Sequence, residues 1–200
     1  MSDAFQLERP LVAFRTWYTR SLVPQASLFQ VDYATTYKPK PLALYPMTTE
    51  VPWTRGVNEA TCHKDGRQTN LKYEHTSPHA DCYCGLHAYV DPEHDKESAW
   101  ITHLFDKELM VQGAVLMWGT IYGGKKVVRS EFAEVVAFLD DSPIAKLVAE
   151  QYHVPAVSEA HMIYLATEHG DRVSPELEAA IEAATKDASE DYPKDFPQTT

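Results

Sequence analysis

Along the first 140 residues the apolar positions come in short runs rich in β-branched and aromatic side chains: Leu11 to Tyr18, Leu42 to Tyr45, Gly85 to Val90, Ala114 to Tyr122 and Val127 to Ala133. Runs of this length, bounded by glycine, proline and polar residues, predict strands. One helix is predicted among them, with Asp91 as N-cap, Pro92 in the first turn, and Trp100, Ile101, Leu104 and Phe105 at helical spacing. Its polar side should face water. After residue 140 the period changes. Ser142-Pro143 opens a segment in which Ile144, Leu147, Val148 and Tyr152 share a stripe. Ser158 and Gly170 bracket a second, and Ser174-Pro175 opens a third with Leu177, Ala180, Ile181 and Ala184 aligned. Residues 19–60 are proline-rich and aperiodic, which predicts loops around short strands.

These patterns place the chain in the α+β class. The expected architecture is a small β-sheet or partly open barrel over residues 1–140 with one interposed helix. A helical appendage over 141–185 packs on it, and a flexible tail follows over 186–200, where charge mixes with Tyr192-Pro193 and Phe196-Pro197. With 200 residues, 44% of them hydrophobic, the chain is long enough for one sizeable core.

Charge sharpens the division. Residues 1–133 carry 14 basic and 15 acidic side chains, whereas residues 134–200 carry 4 basic and 14 acidic, so nearly all of the net charge of -11 belongs to the C-terminal third. Such a face repels phosphate backbones and attracts basic protein surfaces. A protein partner is therefore expected there and nucleic acid is not, although a solvated helical surface is the commoner cause of such a run. No apolar run approaches the roughly 18 to 20 residues of a membrane span, and no N-terminal stretch reads as a secretion signal. Three cysteines cannot all pair within one chain, so a reducing cytoplasm is the expected location.

Those cysteines carry the candidate chemistry. They lie close together and interleaved with histidines: Cys62, His63, His75, His79, Cys82, Cys84 and His87. Thiolate and imidazole are the ligands zinc prefers, and four of them close a tetrahedral shell. Cys82 and Cys84 can reach one ion only from a tight turn or a bent strand end, which Gly85 would relieve. Cys62 would close the shell from an adjoining loop. The fourth ligand is His75 or His79. His63 is too near Cys62, and His87 falls on a predicted strand.

The run His75-Thr-Ser-Pro78-His-Ala-Asp-Cys82-Tyr-Cys84-Gly85-Leu-His-Ala88 resembles the motif of a poorly characterised family of actinobacteria and their phages. Ala60-Thr-Cys62, Gly113 to Gly119, Arg129 to Ala133 and Leu147 to Pro155 resemble its other segments in order, so that the likeness covers residues 11–157. It implies His75 as the fourth ligand, giving Cys62, His75, Cys82 and Cys84 around one structural zinc ion. A phage origin would make modulation of a host protein the natural role.

Enzymatic patterns are scarce. There is no His-Glu-x-x-His helix, no deaminase Pro-Cys-x-x-Cys, no Gly-x-Ser-x-Gly elbow, and Gly123-Gly124-Lys125 lacks the rest of a phosphate-binding loop. A shell of four protein ligands also leaves no position for an activated water. The leading expectation is thus a non-enzymatic interaction or regulatory protein. The alternative is a small enzyme acting on a nucleotide or nucleic acid through Arg129 and Glu131, which lie two apart on a predicted strand. A cross-strand salt bridge is the commoner role for such a pair, as core packing is for Trp17, Trp53, Trp100 and Trp118.

Overall fold

The structure, a computed structural model, describes residues 9–21, 42–46, 51–62, 75–79, 82–98, 109–123 and 126–180. In chain order its elements are β1 (Leu11–Ser21), β2 (Leu42–Tyr45), β3 (Val57–Glu59), β4 (Leu86–Tyr89), α1 (Pro92–Ser98), β5 (Met110–Gly123), β6 (Val127–Leu139), α2 (Pro143–Tyr152), β7 (Ala156–Val157) and α3 (Glu159–His169). Residues 175–180 are also helical. The seven strands make one mixed sheet, and the fold is α+β.

Three long antiparallel strands form the frame, β1 against β5 and β5 against β6. The outer edge of β1 takes β2 at Tyr18–Ser21 and touches β4 at Phe14, opposite Tyr89. The outer edge of β6 takes three short strands end to end: β4 on Val127–Ser130, β3 on Phe132–Glu134, and β7, in parallel, on Phe138–Leu139. β4 therefore touches both β1 and β6 and closes a ring of pairings, through a single residue pair on the β1 side.

The apolar run underestimates β6, which extends to Leu139 rather than Ala133. Ala114 pairs with Ala137 and Val115 with Val135, so Val136 is an extra residue in β6. Such a bulge breaks the period of two. Val135 and Phe138 consequently reach one core while Ala137 reaches the other.

The two faces of the sheet bury separate cores. Leu11, Ala13 and Trp17 of β1 join Leu44, Trp53, Val115, Met117 and Phe138 on one face, and α2 covers them with Ala145, Val148, Ala149 and Tyr152. Val12 and Phe14 join Ala114 and Ala137 on the other, under Met162 and Ala166 of α3. Each large side chain so buried contributes about 1.5–3 kcal/mol. Trp17 and Trp53 meet edge to face at 5.3 Å, while Trp118 stacks on Phe132 at 6.0 Å. Trp100, along with Ile101, Leu104 and Phe105, lies outside the described residues, as do Ile181, Ala184 and the segment 186–200.

The helices begin where their caps predict. The Ser142 hydroxyl accepts from the Ala145 amide ahead of α2, and Asp91 accepts from the Glu93 amide ahead of α1. Two expectations need correction. The buried stripe of α2 is Ala145, Val148, Ala149 and Tyr152, while Leu147 is exposed. Spacings of three, four and seven keep those four on one side, and the alanines let the helix approach the sheet closely. Nor does all of α1's polar side face water. Asp95 is buried, because it accepts hydrogen bonds from the amide and hydroxyl of Thr16 and from Gln112 Nε2, tying the helix to β1 and β5. No helix among the described residues is long and apolar enough to cross a membrane.

Candidate metal centre

The end-to-end arrangement of β3 and β4 on β6 creates the site. β3 runs antiparallel to β6 and leaves it at Glu59, opposite Phe132, while β4 begins at Leu86, opposite Ser130. The C-terminal end of one short strand thus faces the N-terminal end of the other across Glu131, whose carbonyl accepts from the Ala60 amide at 2.7 Å. Cys62 lies just past the first strand, and Cys82 and Cys84 just ahead of the second. Residues 75–79 complete the junction.

There the ligand atoms of Cys62, His75, Cys82 and Cys84 all lie within 4.8 Å of one another. Cys62 Sγ is 3.7 Å from Cys82 Sγ, and His75 Nε2 is 3.3 Å from Cys84 Sγ. With zinc–sulfur and zinc–nitrogen bonds of about 2.3 and 2.0 Å, a tetrahedral shell has S–S edges of about 3.8 Å and N–S edges of about 3.5 Å. These two separations have that size, and all three cysteines are free thiols. These residues can hold a metal ion.

Of the two histidines that the spacing leaves open, His75 brings a ring nitrogen into the cluster. His79 stands behind it, ring to ring at 4.8 Å, and its carbonyl accepts from the Cys82 amide at 3.2 Å. His63 lies outside the described residues. His87 is on β4 between two cations, its carbonyl accepting from Arg15 and its own position paired with Arg129. Burial, then those two charges, push its imidazole down to about 4.

The loop that carries the thiols is held from β6. Arg129 Nη1 donates to the carbonyls of Cys82 and Cys84, and the guanidinium lies over the Tyr122 ring at 5.5 Å. Gly85 makes the turn between loop and strand. Its φ is +127°, and a Cβ there would come within 3.0 Å of Pro78 Cβ and 3.1 Å of Arg129 Cβ. Only glycine fits both requirements.

Thiols packed this closely resist ionisation unless a cation joins them. Burial first, then the neighbouring Cys82 and Cys84, push the Cys62 thiol up to about 12, and burial likewise raises Cys84. A divalent ion reverses that preference, because coordination keeps thiols deprotonated.

Arg129 and Glu131 prove to have different partners. Glu131 Oε2 accepts from the Thr120 amide at 3.1 Å, where Gly119 and Thr120 bulge opposite it in β5. Glu131 also lines a cleft of about 340 Å³ with Glu59, Ala60, Thr61, Cys62, His75, Thr76 and Ser77. Arg129 is turned onto the cysteine loop and is absent from that lining. Sequence reading missed this clamp, and a lone arginine between Val128 and Ser130 carries no signal of it. Glu59, Thr76 and Ser77 were likewise invisible as cleft residues. Compared with known proteins, the chain matches no family model, and neither a curated protein nor a solved structure matches it significantly.

Proposed function

We propose that the chain is a non-enzymatic interaction or regulatory protein whose fold is stapled by one structural zinc ion held by Cys62, His75, Cys82 and Cys84. The observation that carries this reading is the convergence of three thiols and an imidazole nitrogen within 4.8 Å. Soft thiolates with imidazole suit zinc better than the oxygen-seeking magnesium or calcium. A shell filled by four protein ligands leaves no position at the metal for an activated water or a substrate.

The interaction half of the reading rests on charge. Asp140, Asp141, Glu150, Glu168, Asp171 and Glu176 are all exposed, against Lys146 and Arg172 as the exposed cations of the same stretch. That surface favours a basic partner, and the resemblance to a family of actinobacteria and their phages makes a host protein the natural candidate for a phage-borne gene.

Elemental analysis of untagged protein should return about one zinc per chain, and a metal-free preparation of unchanged stability would defeat the staple. The tagged chain, passed over host lysate, should retain a stoichiometric partner that salt releases. Neutralising the six exposed carboxylates should abolish that retention; unaltered capture would remove the acidic surface from the proposal.

A further inference from the structure

We infer that the same cluster is a peroxide-sensitive modification site, in which Cys62 is the thiol oxidised and Cys82 the thiol that resolves it into a disulfide, releasing the metal. The release rests on the zinc reading above; the pairing of the sulfurs stands on geometry alone.

The three cysteines are not equally reachable. Cys62 is half-buried and lines the cleft of about 340 Å³, which gives a small oxidant a route to it. Cys82 is buried, with 5% of its surface exposed. It is therefore shielded from first attack, yet its Sγ is 3.7 Å from that of Cys62. A disulfide needs about 2.05 Å, so closing the gap takes less than about 2 Å of movement. The two backbones differ in how far they are held. The carbonyls of Cys82 and Cys84 are bound by Arg129, whereas Cys62 lies beyond the last residue of β3. Movement of Cys62 toward Cys82 is the easier course. Cys84, half-buried like Cys62, is absent from the cleft lining and has its sulfur 3.3 Å from His75 Nε2.

The cleft's lining also selects the oxidant. Glu59 and Glu131, both on its lining, disfavour anions and favour a small neutral molecule. Hydrogen peroxide is of that class. Its reaction balances without a further reagent. The Cys62 thiolate attacks one peroxide oxygen, the O–O bond breaks, and Cys62 sulfenic acid and hydroxide form. The Cys82 thiolate then attacks the Cys62 sulfur and displaces a second hydroxide. Two thiolates have lost two electrons in all, peroxide has gained them, and the metal leaves as a divalent ion with its oxidation state unchanged. Losing two of four ligands opens the shell.

The test uses the reduced full-length protein, its zinc content measured first. Hydrogen peroxide is added stepwise, zinc release is read with a chromophoric chelator, remaining thiols are alkylated, and disulfides are mapped by mass spectrometry. One zinc should appear per Cys62–Cys82 disulfide formed, and a dithiol reductant with added zinc should restore the starting protein. A disulfide joining Cys82 to Cys84, release accompanied only by sulfinic acid, or zinc retained after the disulfide has formed would each overturn the proposal. Should the reduced protein contain no zinc, the staple fails, and the map on that same sample still decides the sulfur pairing: a Cys62–Cys82 bond upholds it and its absence refutes it.

Discussion

Arg129, on β6, donates from Nη1 to the main-chain carbonyl of Cys82, 47 positions earlier in the chain. The same atom reaches the carbonyl of Cys84 at 3.3 Å, so one side chain orients the segment that carries two of the four candidate ligands. Its positive charge also offsets the net negative charge of three thiolates around a divalent ion. Replacing it with methionine keeps the aliphatic stem and strands both carbonyls. Arg129→Met should weaken metal binding about 10–100-fold, the usual cost of losing a partner that orients ligands. Competition against a chelator of known affinity reads this, and an unchanged constant would mean that other contacts hold the loop.

Removing the metal should loosen one end of the sheet and spare its frame. The ligands sit at the junction of β3 and β4, whereas Val12, Phe14, Val115 and Phe138 are fully buried in the long strands. A ligand a thousandfold above its dissociation constant stabilises by about 4 kcal/mol, equivalent to roughly 10 °C for a chain of this size. Chelation should lower the melting temperature by about that much, with amide-exchange protection lost first in β3, β4 and residues 75–79. Uniform loss of protection across β1, β5 and β6 would contradict this.

His87 should make the fold acid-sensitive. Its imidazole lies at about 4 in the folded protein against 6.5 when unperturbed, because burial and the Arg15 and Arg129 charges oppose protonation. The unfolded chain therefore binds the extra proton first as pH falls. Its stabilising contribution is complete above about 6.5 and is lost down to about 4, at no more than about 1.4 kcal/mol per pH unit. Urea titrations of wild type and His87→Gln at pH 7 and 5, both with excess zinc, let the shared pH dependence of metal binding cancel between them. The variant should show the shallower dependence, and parallel slopes would refute it.

Tyr152 links three parts of one core through its hydroxyl, which donates to the Trp53 carbonyl at 2.6 Å and accepts from the Leu44 amide at 3.3 Å. Tyr152→Phe leaves both buried partners unmatched and should cost about 1–3 kcal/mol. Chemical denaturation measures it. A loss below about 0.5 kcal/mol would mean that the two groups find other partners.

Local pattern was enough for much of this protein. Short runs of β-branched and aromatic residues located β1, β2, β4, β5 and the first half of β6, and serine caps with proline or glycine marked α2 and α3. Side-chain chemistry alone nominated Cys62, Cys82 and Cys84. These features depend on neighbours in sequence, where backbone geometry and ligand preference act directly. β3 and β7 lay beyond such reading, since three and two residues hold too few positions for a period to register, and their pairing is supplied by β6. The Val136 bulge, the burial of Asp95 and the Arg129 clamp likewise depend on strands distant in the chain. The residues alone left two histidines open, the resemblance favoured His75, and only folding set its Nε2 beside Cys84. Spacing limits which residues can reach a point in space, and the meeting of β3 and β4 on β6 determines which of them do.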